Sequence, residues 1–326
     1  MKPLLPNTYV LNNKYLQSII SPSTDIIDYN FTSEQVHKLN LLQILRPDIY
    51  FNKNLSDEEF FDLSKKYYQK LIDEEIIYKS EKEYFLYRID SENHSQTGLI
   101  SLLNIQDYIN RNIKPHEKIL VSKGKERADQ LSKVKFQLSP IYLFYDDENI
   151  DLNLDIHHDK KPIIKFKSGK YTHSIYKTNT DFSGINFKEL FVADGHHRIE
   201  GFAQLDVDKD TKFLSIVFPK SKCLNLSYNR SIKFPRDYKK DSFLTDLKKY
   251  FHVEELKYHE KIDRFFVIYF EGKFFKIDLK DDYSTNGADC IDFGEFVLKE
   301  ILNIYDETND ERVEFVPPTL GTDYLI

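Results

Sequence analysis

The motif FVADGHHR contains the residue types that bind a phosphate group. Gly195 allows the chain to turn tightly, and a helix that begins at about His197 would direct free backbone N–H groups into the turn. The imidazoles of His196 and His197 would lie beside the turn, and the guanidinium of Arg198 could bind two phosphate oxygens at once. Asp194, at the end of the preceding apolar run, could hold a magnesium ion or orient a histidine. The motif therefore predicts a phosphate-binding turn.

Two structural interpretations compete with this prediction. Asp194 could cap the helix while both histidines lie on the surface, because Asp and Gly are common at helix starts. A zinc site could instead join the two histidines of the motif to His157 and His158. The zinc site is disfavoured because neighbouring histidines on a helix point to different faces.

A second candidate is the pair His116-Glu117, which is followed by the cationic residues Lys118, Lys123, Lys125 and Arg127. A carboxylate among so many cations stays ionised, and Glu117 could accept a proton from a substrate hydroxyl if a cleft held it. Taken alone, the segment is better described as a solvated charged loop and helix face. A third candidate, Arg230 in SYNR, could meet another anionic group, but this short pattern is close to uninformative.

A strand, a turn and a helix must position the motif FVADGHHR. The apolar run before Asp194 predicts the strand, and IEGFAQL predicts the helix. Further buried strands are predicted from Pro140 to Tyr145 and over FLSIVFP, and a hairpin is predicted around Gly169. Ser56 and Glu59 form a capping box ahead of a one-sided amphipathic helix. Strands and helices without a regular βαβ rhythm favour an α+β fold.

The C-terminal sequence shows the same mixture of elements. FLTDLKKYFHVEEL predicts a helix, RFFVIYFEGKFFKIDLK predicts a strand pair that turns at Glu271-Gly272, and RVEFVPP predicts a last strand. One apolar face predicts a late helix that contains Phe293, Phe296, Val297, Ile301 and Ile304. We therefore divide the chain into a lead-in segment, an N-terminal α+β region, a core with the phosphate site and a C-terminal α+β region, at residues 1–45, 46–111, 112–222 and 223–326.

The composition and charge of the 326-residue chain restrict its class. Hydrophobic residues make up 40% and charged residues 30%, which is typical of a globular protein. The net charge of −7, from 46 basic and 53 acidic residues, lacks the basic excess of a protein that binds by neutralising phosphates, so nucleic acid is a disfavoured partner. Its 2 cysteines provide neither a disulfide framework nor metal-ligand spacing. No apolar run is typical of a signal peptide or a membrane span, so we expect a cytoplasmic protein without a membrane partner.

In order along the chain, IKPHEK with a downstream ER, SPIYLFYD, ADGHHR and SYNRSIK resemble the pattern of a domain-of-unknown-function family, ten-fifteen. Members of that family are often described as ParB-related. The resemblance extends from about Ile44-Leu45-Arg46-Pro47 to the closing segment RVEFVPPTLGTDYL. The family in turn looks like a branch of the ParB/sulfiredoxin-like fold, whose relatives include free serine kinases. The resemblance therefore implies a ParB/sulfiredoxin-like mixed core with additional N-terminal and C-terminal α+β regions.

The resemblance to these kinases implies a phosphotransferase that uses ATP or ADP with Mg²⁺ and phosphorylates L-serine or a similar hydroxylated metabolite. It implies that Glu117 is the general base and that His197 is a further catalytic residue. It also implies that Asp194 is the acidic residue at the phosphate or magnesium site. His116 matches a family position whose role the pattern does not define. The nucleotide-binding set that the resemblance implies is Gly195, His196, His197, Arg198, Arg127 and Arg230.

Departures from the family pattern concern the acceptor more than the phosphate site. Ile119 stands where Thr is common, and Ile199 stands where an aromatic residue is usual. His196 occupies the position of the sulfiredoxin cysteine, so thiol repair is not expected. The alternative function is a ParB-like nucleotide-binding regulatory or partition protein without kinase activity, which would need a DNA-binding element. The sequence has no helix-turn-helix pattern with a basic recognition helix. A scaffold that binds only a partner is the third alternative.

Overall fold

The computed structural model of the chain describes residues 1–21, 37–116, 128, 131–152, 154, 156, 160–205, 210–224, 229–257, 266–283, 289–307 and 309–316. The chain divides into two units, Met1–Asn225 and Leu226–Ile326. Helices and strands are mixed and one large sheet is itself mixed, which confirms the predicted α+β class. Within the described residues, every helix is too short or too polar to cross a membrane.

The first unit is built around one large sheet. Its helices are α1 (Leu16–Ile19), α2 (Leu42–Leu45), α3 (Pro47–Phe51), α4 (Asp57–Asp73), α5 (Ile105–Ile109) and α6 (His196–Gln204). Its strands are β1 (Tyr9–Leu11), β2 (Ile77–Lys79), β3 (Tyr84–Asp90), β4 (Ser95–Asn104), β5 (Ile113–Lys114), β6 (Ile141–Tyr145), β7 (Ile164–Ser168), β8 (Tyr171–Thr178), β9 (Leu190–Asp194) and β10 (Lys212–Pro219). Short 3₁₀ turns cover Asn13–Tyr15 and Lys220–Lys222.

The large sheet has eight strands in the order β5-β9-β6-β10-β4-β3-β8-β7, and β1 pairs separately with β2. The pairs β5–β9 and β6–β10 are parallel, and the other neighbours are antiparallel. Strands from the predicted regions 46–111 and 112–222 therefore hydrogen-bond in one sheet and belong to one unit.

Alternation along the strands gives this sheet an inner face and an outer face. The inner face carries the main hydrophobic core, which includes Ile141, Leu143, Tyr145, Ile199 and Phe202. On β6, Tyr142 and Phe144 alternate with these buried residues and lie on the outer face. Because Ile199 and Phe202 belong to α6, this core also fixes the helix that follows β9.

Gly98 on β4 makes room for side chains of the outer face. An added Cβ would lie 2.7 Å from Ile216 Cγ2 and 2.7 Å from the ring of Phe218, which is itself buried. We expect Gly98→Ala to lower the free energy of unfolding by about 1–3 kcal/mol in urea denaturation, because the buried ring must shift. Gly184→Ala is the control, since an added Cβ there has nothing within 4 Å. Equal losses in the two variants would contradict this prediction.

The predicted lead-in segment packs against the helix that follows it. The capping box is confirmed, because Ser56 Oγ accepts from the Glu59 N–H and Glu59 Oε2 accepts from the Ser56 N–H at 2.9 Å. Tyr67 and Leu71 of α4 are buried together with Ile19 of α1. β1 adds a second connection, since it pairs with β2 directly after α4.

The second unit contains β11 (Asn229–Ile232), α7 (Phe243–Tyr250), β12 (Phe251–Leu256), β13 (Phe266–Phe270), β14 (Lys273–Leu279), α8 (Asp289–Asp292), a π-helix (Phe293–Ile301) and β15 (Val313–Val316). Short 3₁₀ turns cover Lys240–Ser242 and Asp281–Tyr283. Three strands form a sheet in the order β12-β14-β13, and β11 pairs with β15. The hairpin turn predicted at Glu271-Gly272 is confirmed, and the two residues have φ of 49° and 79°, as tight hairpin turns require.

The predicted helix FLTDLKKYFHVEEL is wrong in its second half. α7 ends at Tyr250, and the following residues form β12 along β14. Phe251 is buried and His252 is exposed, so this segment uses the two-residue period of a strand. Pairing with β14 and burial of Phe251 outweigh the modest helix propensity of the segment.

Candidate functional site

A β-bulge at the end of β9 directs Asp194 to the outer face. β9 pairs with β6 in the register Val192↔Leu143 and Asp194↔Tyr142, so Ala193 is the extra residue. Val192 is buried, whereas Ala193 and Asp194 are both exposed. Simple alternation from Val192 would turn the Asp194 carboxylate toward the inner core. With the bulge, the Asp194 side chain is 70% exposed.

Gly195 forms the whole turn between β9 and α6. Its φ is 98° and its ψ is 25°, in the left-handed region that glycine adopts without steric cost. The first helical hydrogen bond runs from the Ile199 N–H to the Gly195 carbonyl at 3.0 Å. In any α-helix the N–H groups of the first turn point out of the helix end, and the helix dipole is positive there. The binding of an anion at this turn stays a prediction, and α6 begins one residue earlier than predicted.

Arg198 connects this turn to the residue directly before the neighbouring strand β6. Its Nη1 donates to the Pro140 carbonyl at 2.6 Å, and its Nη2 donates to the Asp194 carboxylate. The guanidinium lies over Gly195, where an added Cβ would be 3.1 Å from Nη2. A phosphate group that reaches Arg198 must share these donors with the protein. Arg198 thus has a structural role in addition to the predicted nucleotide contact.

His116 and His196 bring two distant segments together. β5 lies parallel to β9 in the register Lys114↔Phe191, so the chain leaves β5 close to the turn at Gly195. The exposed His116 ring meets the His196 ring edge to face, with 4.4 Å between the centroids. His196 is only 4% exposed, and its Nε2 and the Nδ1 of His197 are both buried from solvent. Two imidazole-bearing segments therefore converge at the start of α6.

Aromatic side chains lead away from Asp194 across the outer face. Tyr142 pairs with Asp194 across β6 and β9, its ring centroid lies 6.2 Å from that of Tyr87, and the Tyr87 hydroxyl is 2.6 Å from His173 Nδ1. Burial raises the pKa of Tyr142 well above its ordinary value, and the Asp194 carboxylate raises this pKa further. Tyr142 therefore stays a neutral hydrogen-bond donor. Tyr142 is not among the residues that the sequence predicts for the site, although the alternation in IYLFY puts it on the outer face.

His173 should make the stability of the first unit depend on pH. Burial lowers the pKa of His173, so the unfolded chain binds a proton there more readily than the folded chain. The stability that neutral His173 contributes is present above its unfolded pKa of about 6.5 and is lost as the pH falls toward its folded pKa. When the pH is lowered from about 7 to about 5, the free energy of unfolding measured by urea denaturation should decrease less for His173→Gln than for the wild type. An identical pH dependence in both proteins would contradict this expectation.

The model of a family described as "Protein of unknown function (DUF1015)" matches residues 3–302. The chain belongs to this family. The family resemblance is thereby confirmed, although the match begins before Ile44 and ends before the closing segment RVEFVPPTLGTDYL. No protein of curated function matches the chain. A conserved hypothetical protein from Pyrococcus furiosus is similar in structure, with 14% sequence identity, a TM-score of 0.31, and coverage of 69% of this chain and 72% of that chain.

Of the other residues predicted for the site of this DUF1015 member, the structure describes Arg230. Glu117 and Arg127 are outside the described residues, as are His157 and His158 of the disfavoured zinc site. Arg230, in the second unit, forms a bidentate ion pair with Glu307, with contacts of 2.6 Å and 3.0 Å. Its guanidinium also lies 5.2 Å from the centroid of the Phe315 ring on the paired strand β15. These contacts connect β11 to β15 and to the segment before it.

Asp194 is the residue that could hold a magnesium ion in this DUF1015 member. Among the described residues, no group of three or more His, Cys, Asp or Glu could hold a metal ion. Mg²⁺ in nucleotide sites commonly uses one or two carboxylates and takes its other ligands from phosphates and water. The exposed Asp194 carboxylate fits this pattern only with a nucleotide in the turn, where the ion would compete with Arg198 for the carboxylate.

Proposed function

We propose that this DUF1015 member transfers a phosphoryl group from ATP or ADP to the hydroxyl of a small metabolite, with L-serine as the first acceptor to test. The observation that carries the proposal is the convergence of His116 with the glycine turn that begins α6. We also infer that the first unit is a branch of the ParB/sulfiredoxin-like fold. That inference rests on the sequence motifs HE and DGHHR and on their proximity in the first unit.

The chemistry of the turn supports a phosphate as its ligand. The N–H groups at the start of α6 and the positive end of its dipole favour an anion, and Gly195 lets the backbone approach it closely. The rings of His116 and His196 are in edge-to-face contact and His197 follows in the first turn of α6, and an imidazole N–H is a donor of the kind that binds a phosphate oxygen. Most catalysis of phosphoryl transfer consists of such positioning and charge neutralisation.

In the proposed reaction, the acceptor oxygen attacks the terminal phosphorus of the nucleotide. The new oxygen–phosphorus bond forms as the bond to the bridging oxygen breaks, so ATP leaves as ADP or ADP leaves as AMP. The proton of the attacking hydroxyl passes to the carboxylate of Glu117, which directly follows His116 in the chain. Arg198 and His197 offset the negative charge of the transferred group. When bound, Mg²⁺ would neutralise phosphate charge, with Asp194 as its protein ligand.

The test of this function is product formation. The protein is incubated with Mg²⁺ and either ATP or ADP, with and without L-serine, and O-phosphoserine is measured by mass spectrometry. We expect phosphoserine only when nucleotide and serine are both present, with one ADP or AMP formed for each phosphoserine. Nucleotide binding without product would favour the ParB-like function without turnover or a different hydroxylated acceptor. If neither product nor nucleotide binding is observed, the proposal is contradicted.

A further inference from the structure

The strand β13 forms one edge of the three-stranded sheet in the second unit. The sheet has the order β12-β14-β13, and among the described residues only β14 pairs with β13. β13 has the sequence FVIYF, which contains no charged residue and no proline. Edge strands commonly carry such residues, because they prevent pairing with another chain. The other edge of this sheet, β12, is protected in this way by Glu254 and Glu255, which are both exposed.

The hairpin between β13 and β14 fixes which backbone groups of β13 point to the open edge. Its two-residue turn at Glu271-Gly272 makes Phe270 and Lys273 a hydrogen-bonded pair, and such pairs recur at every second residue of an antiparallel ladder. The alternate residues, Val267 and Tyr269, therefore direct their N–H and C=O groups away from β14. These four groups can hydrogen-bond to a further antiparallel strand.

The open edge is complementary to itself in one register. A second copy of β13 that lies antiparallel, with Ile268 opposite Ile268, places Val267 opposite Tyr269 twice. Both of these residues point their backbone groups to this edge, so each of the two pairs exchanges two hydrogen bonds. An aromatic residue opposite a β-branched residue is also a favourable cross-strand pair. On the other face of the sheet, the same register places Phe266 opposite Phe270.

The hydrophobic core of the second unit extends to this edge. Phe266, Ile268 and Phe270 pack against the core but are only half-buried. On the opposite face of the sheet, Tyr269 is 38% exposed. A second copy of β13 would cover part of the surface of these side chains, and the removal of apolar surface from water favours the pairing.

We propose that β13 is a dimerisation strand, which pairs antiparallel with β13 of a second copy of this chain. The two three-stranded sheets then form one six-stranded sheet about a two-fold axis at Ile268. Two strands of 5 residues bury less area than a standard protein interface, so the dimer should dissociate on dilution. The proposal concerns the second unit and does not depend on the proposed phosphate site in the first unit.

The experiment measures the molar mass of the full chain by light scattering during size-exclusion chromatography, at chain concentrations from about 1 to about 100 μM. We expect the mass to rise with concentration toward twice that of one chain. Tyr269→Pro removes an N–H group that points to the open edge and keeps the hydrogen bonds to β14. It should raise the dissociation constant of the dimer by about 5- to 100-fold, because the dimer loses two hydrogen bonds.

Lys167→Pro is the matched control for this substitution. Lys167 occupies the same position, two residues before the turn, in the two-residue hairpin of β7 and β8. It is exposed on β7, which is an edge strand of the large sheet. Lys167→Pro should therefore leave the dissociation constant of the dimer unchanged.

Two double variants test the register of the pairing without a change to proline. Val267→Glu with Tyr269→Glu places like charges directly opposite each other in both cross-strand pairs, whereas Val267→Lys with Tyr269→Glu places opposite charges there. We expect the dissociation constant of the first double variant to exceed that of the second by about 10-fold.

The outcomes decide whether β13 forms the interface. A wild-type chain that stays monomeric throughout this concentration range would overturn the proposal. A dimer that Tyr269→Pro does not weaken, or that both proline variants weaken equally, would overturn it as well. Melting temperatures verify that each variant is folded. If Tyr269→Pro does not fold, the two double variants decide the question, and equal dissociation constants for them would exclude this register.

Discussion

Replacing Glu117 by Gln is expected to slow phosphoserine formation by about 10²- to 10⁴-fold, the contribution typical of a general base. Glutamine has nearly the size of glutamate, but its neutral amide cannot take the proton that the acceptor hydroxyl must lose. The affinity for ADP should stay near that of the wild type, because this role concerns the acceptor and not the phosphates. The measurement is the rate of phosphoserine formation at saturating ATP and L-serine, together with calorimetry of ADP binding.

Glu92→Gln provides the matched control for this prediction, since Glu92 is an exposed carboxylate between β3 and β4. It should retain the wild-type rate. Full turnover by Glu117→Gln would remove Glu117 from the reaction. Equal losses of turnover in both variants would mean that the change acts through folding or charge and not through proton transfer.

Replacing Gly195 by Ala is expected to impair the phosphate site and the fold together. An alanine at φ 98° costs about 1–2 kcal/mol of unfolding free energy, because its Cβ collides with the backbone in the left-handed region. The same Cβ would lie 3.1 Å from the Arg198 guanidinium, so the Arg198 side chain and its hydrogen bond to the Pro140 carbonyl would have to shift. A shift of the first turn of α6 misplaces its N–H donors, so we expect ADP affinity to fall by about 10- to 100-fold.

Gly169→Ala is the control that separates the effect of Gly195→Ala on stability from its effect on ADP binding. Gly169 also has a positive φ, 54°, but it lies at the tip of the β7–β8 hairpin, where an added Cβ has nothing within 4 Å. It should lose a similar amount of unfolding free energy, measured by urea denaturation, and keep wild-type affinity for ADP. If the two variants bind ADP equally well, the turn at Gly195 is not the phosphate site.

The strand, turn and helix of the candidate site could be predicted from the sequence. An apolar run that ends in Asp-Gly and continues into an amphipathic pattern determines these elements locally, and the structure has them as β9, Gly195 and α6. The buried strand over Pro140 to Tyr145 and the hairpin at Gly169 were predicted for the same reason, and both are confirmed. Family membership is confirmed over residues 3–302.

The contacts that complete the site could not be predicted, because they depend on strand pairing. His116 reaches His196 only because β5 lies parallel to β9, a neighbour relation between segments far apart in sequence. Asp194 faces outward because of one extra residue in its register with β6, and a single sequence does not show which partner strand it has. The hydrogen bond from Arg198 to the Pro140 carbonyl also depends on strand pairing, because Pro140 directly precedes β6.

The partner of Arg230 is another contact that could not be predicted from the sequence. A cation in a family-pattern position predicts an anion, and the structure provides one within the second unit, the Glu307 carboxylate. The prediction of a helix through FHVEEL is wrong because the residues that pair with this segment, on β14, lie 18 to 28 positions further along the chain.

The most direct test of a phosphate site at the start of α6 is an NMR titration of the histidine side chains with Mg-ADP. Single replacements assign the ring signals of the 10 histidines. We expect the rings of His116 and His196 to shift together and to saturate with ADP, while His252 on β12 stays unchanged. Shifts confined to other histidines, or no shifts at ADP concentrations well above those of the protein, would contradict a phosphate site at this turn.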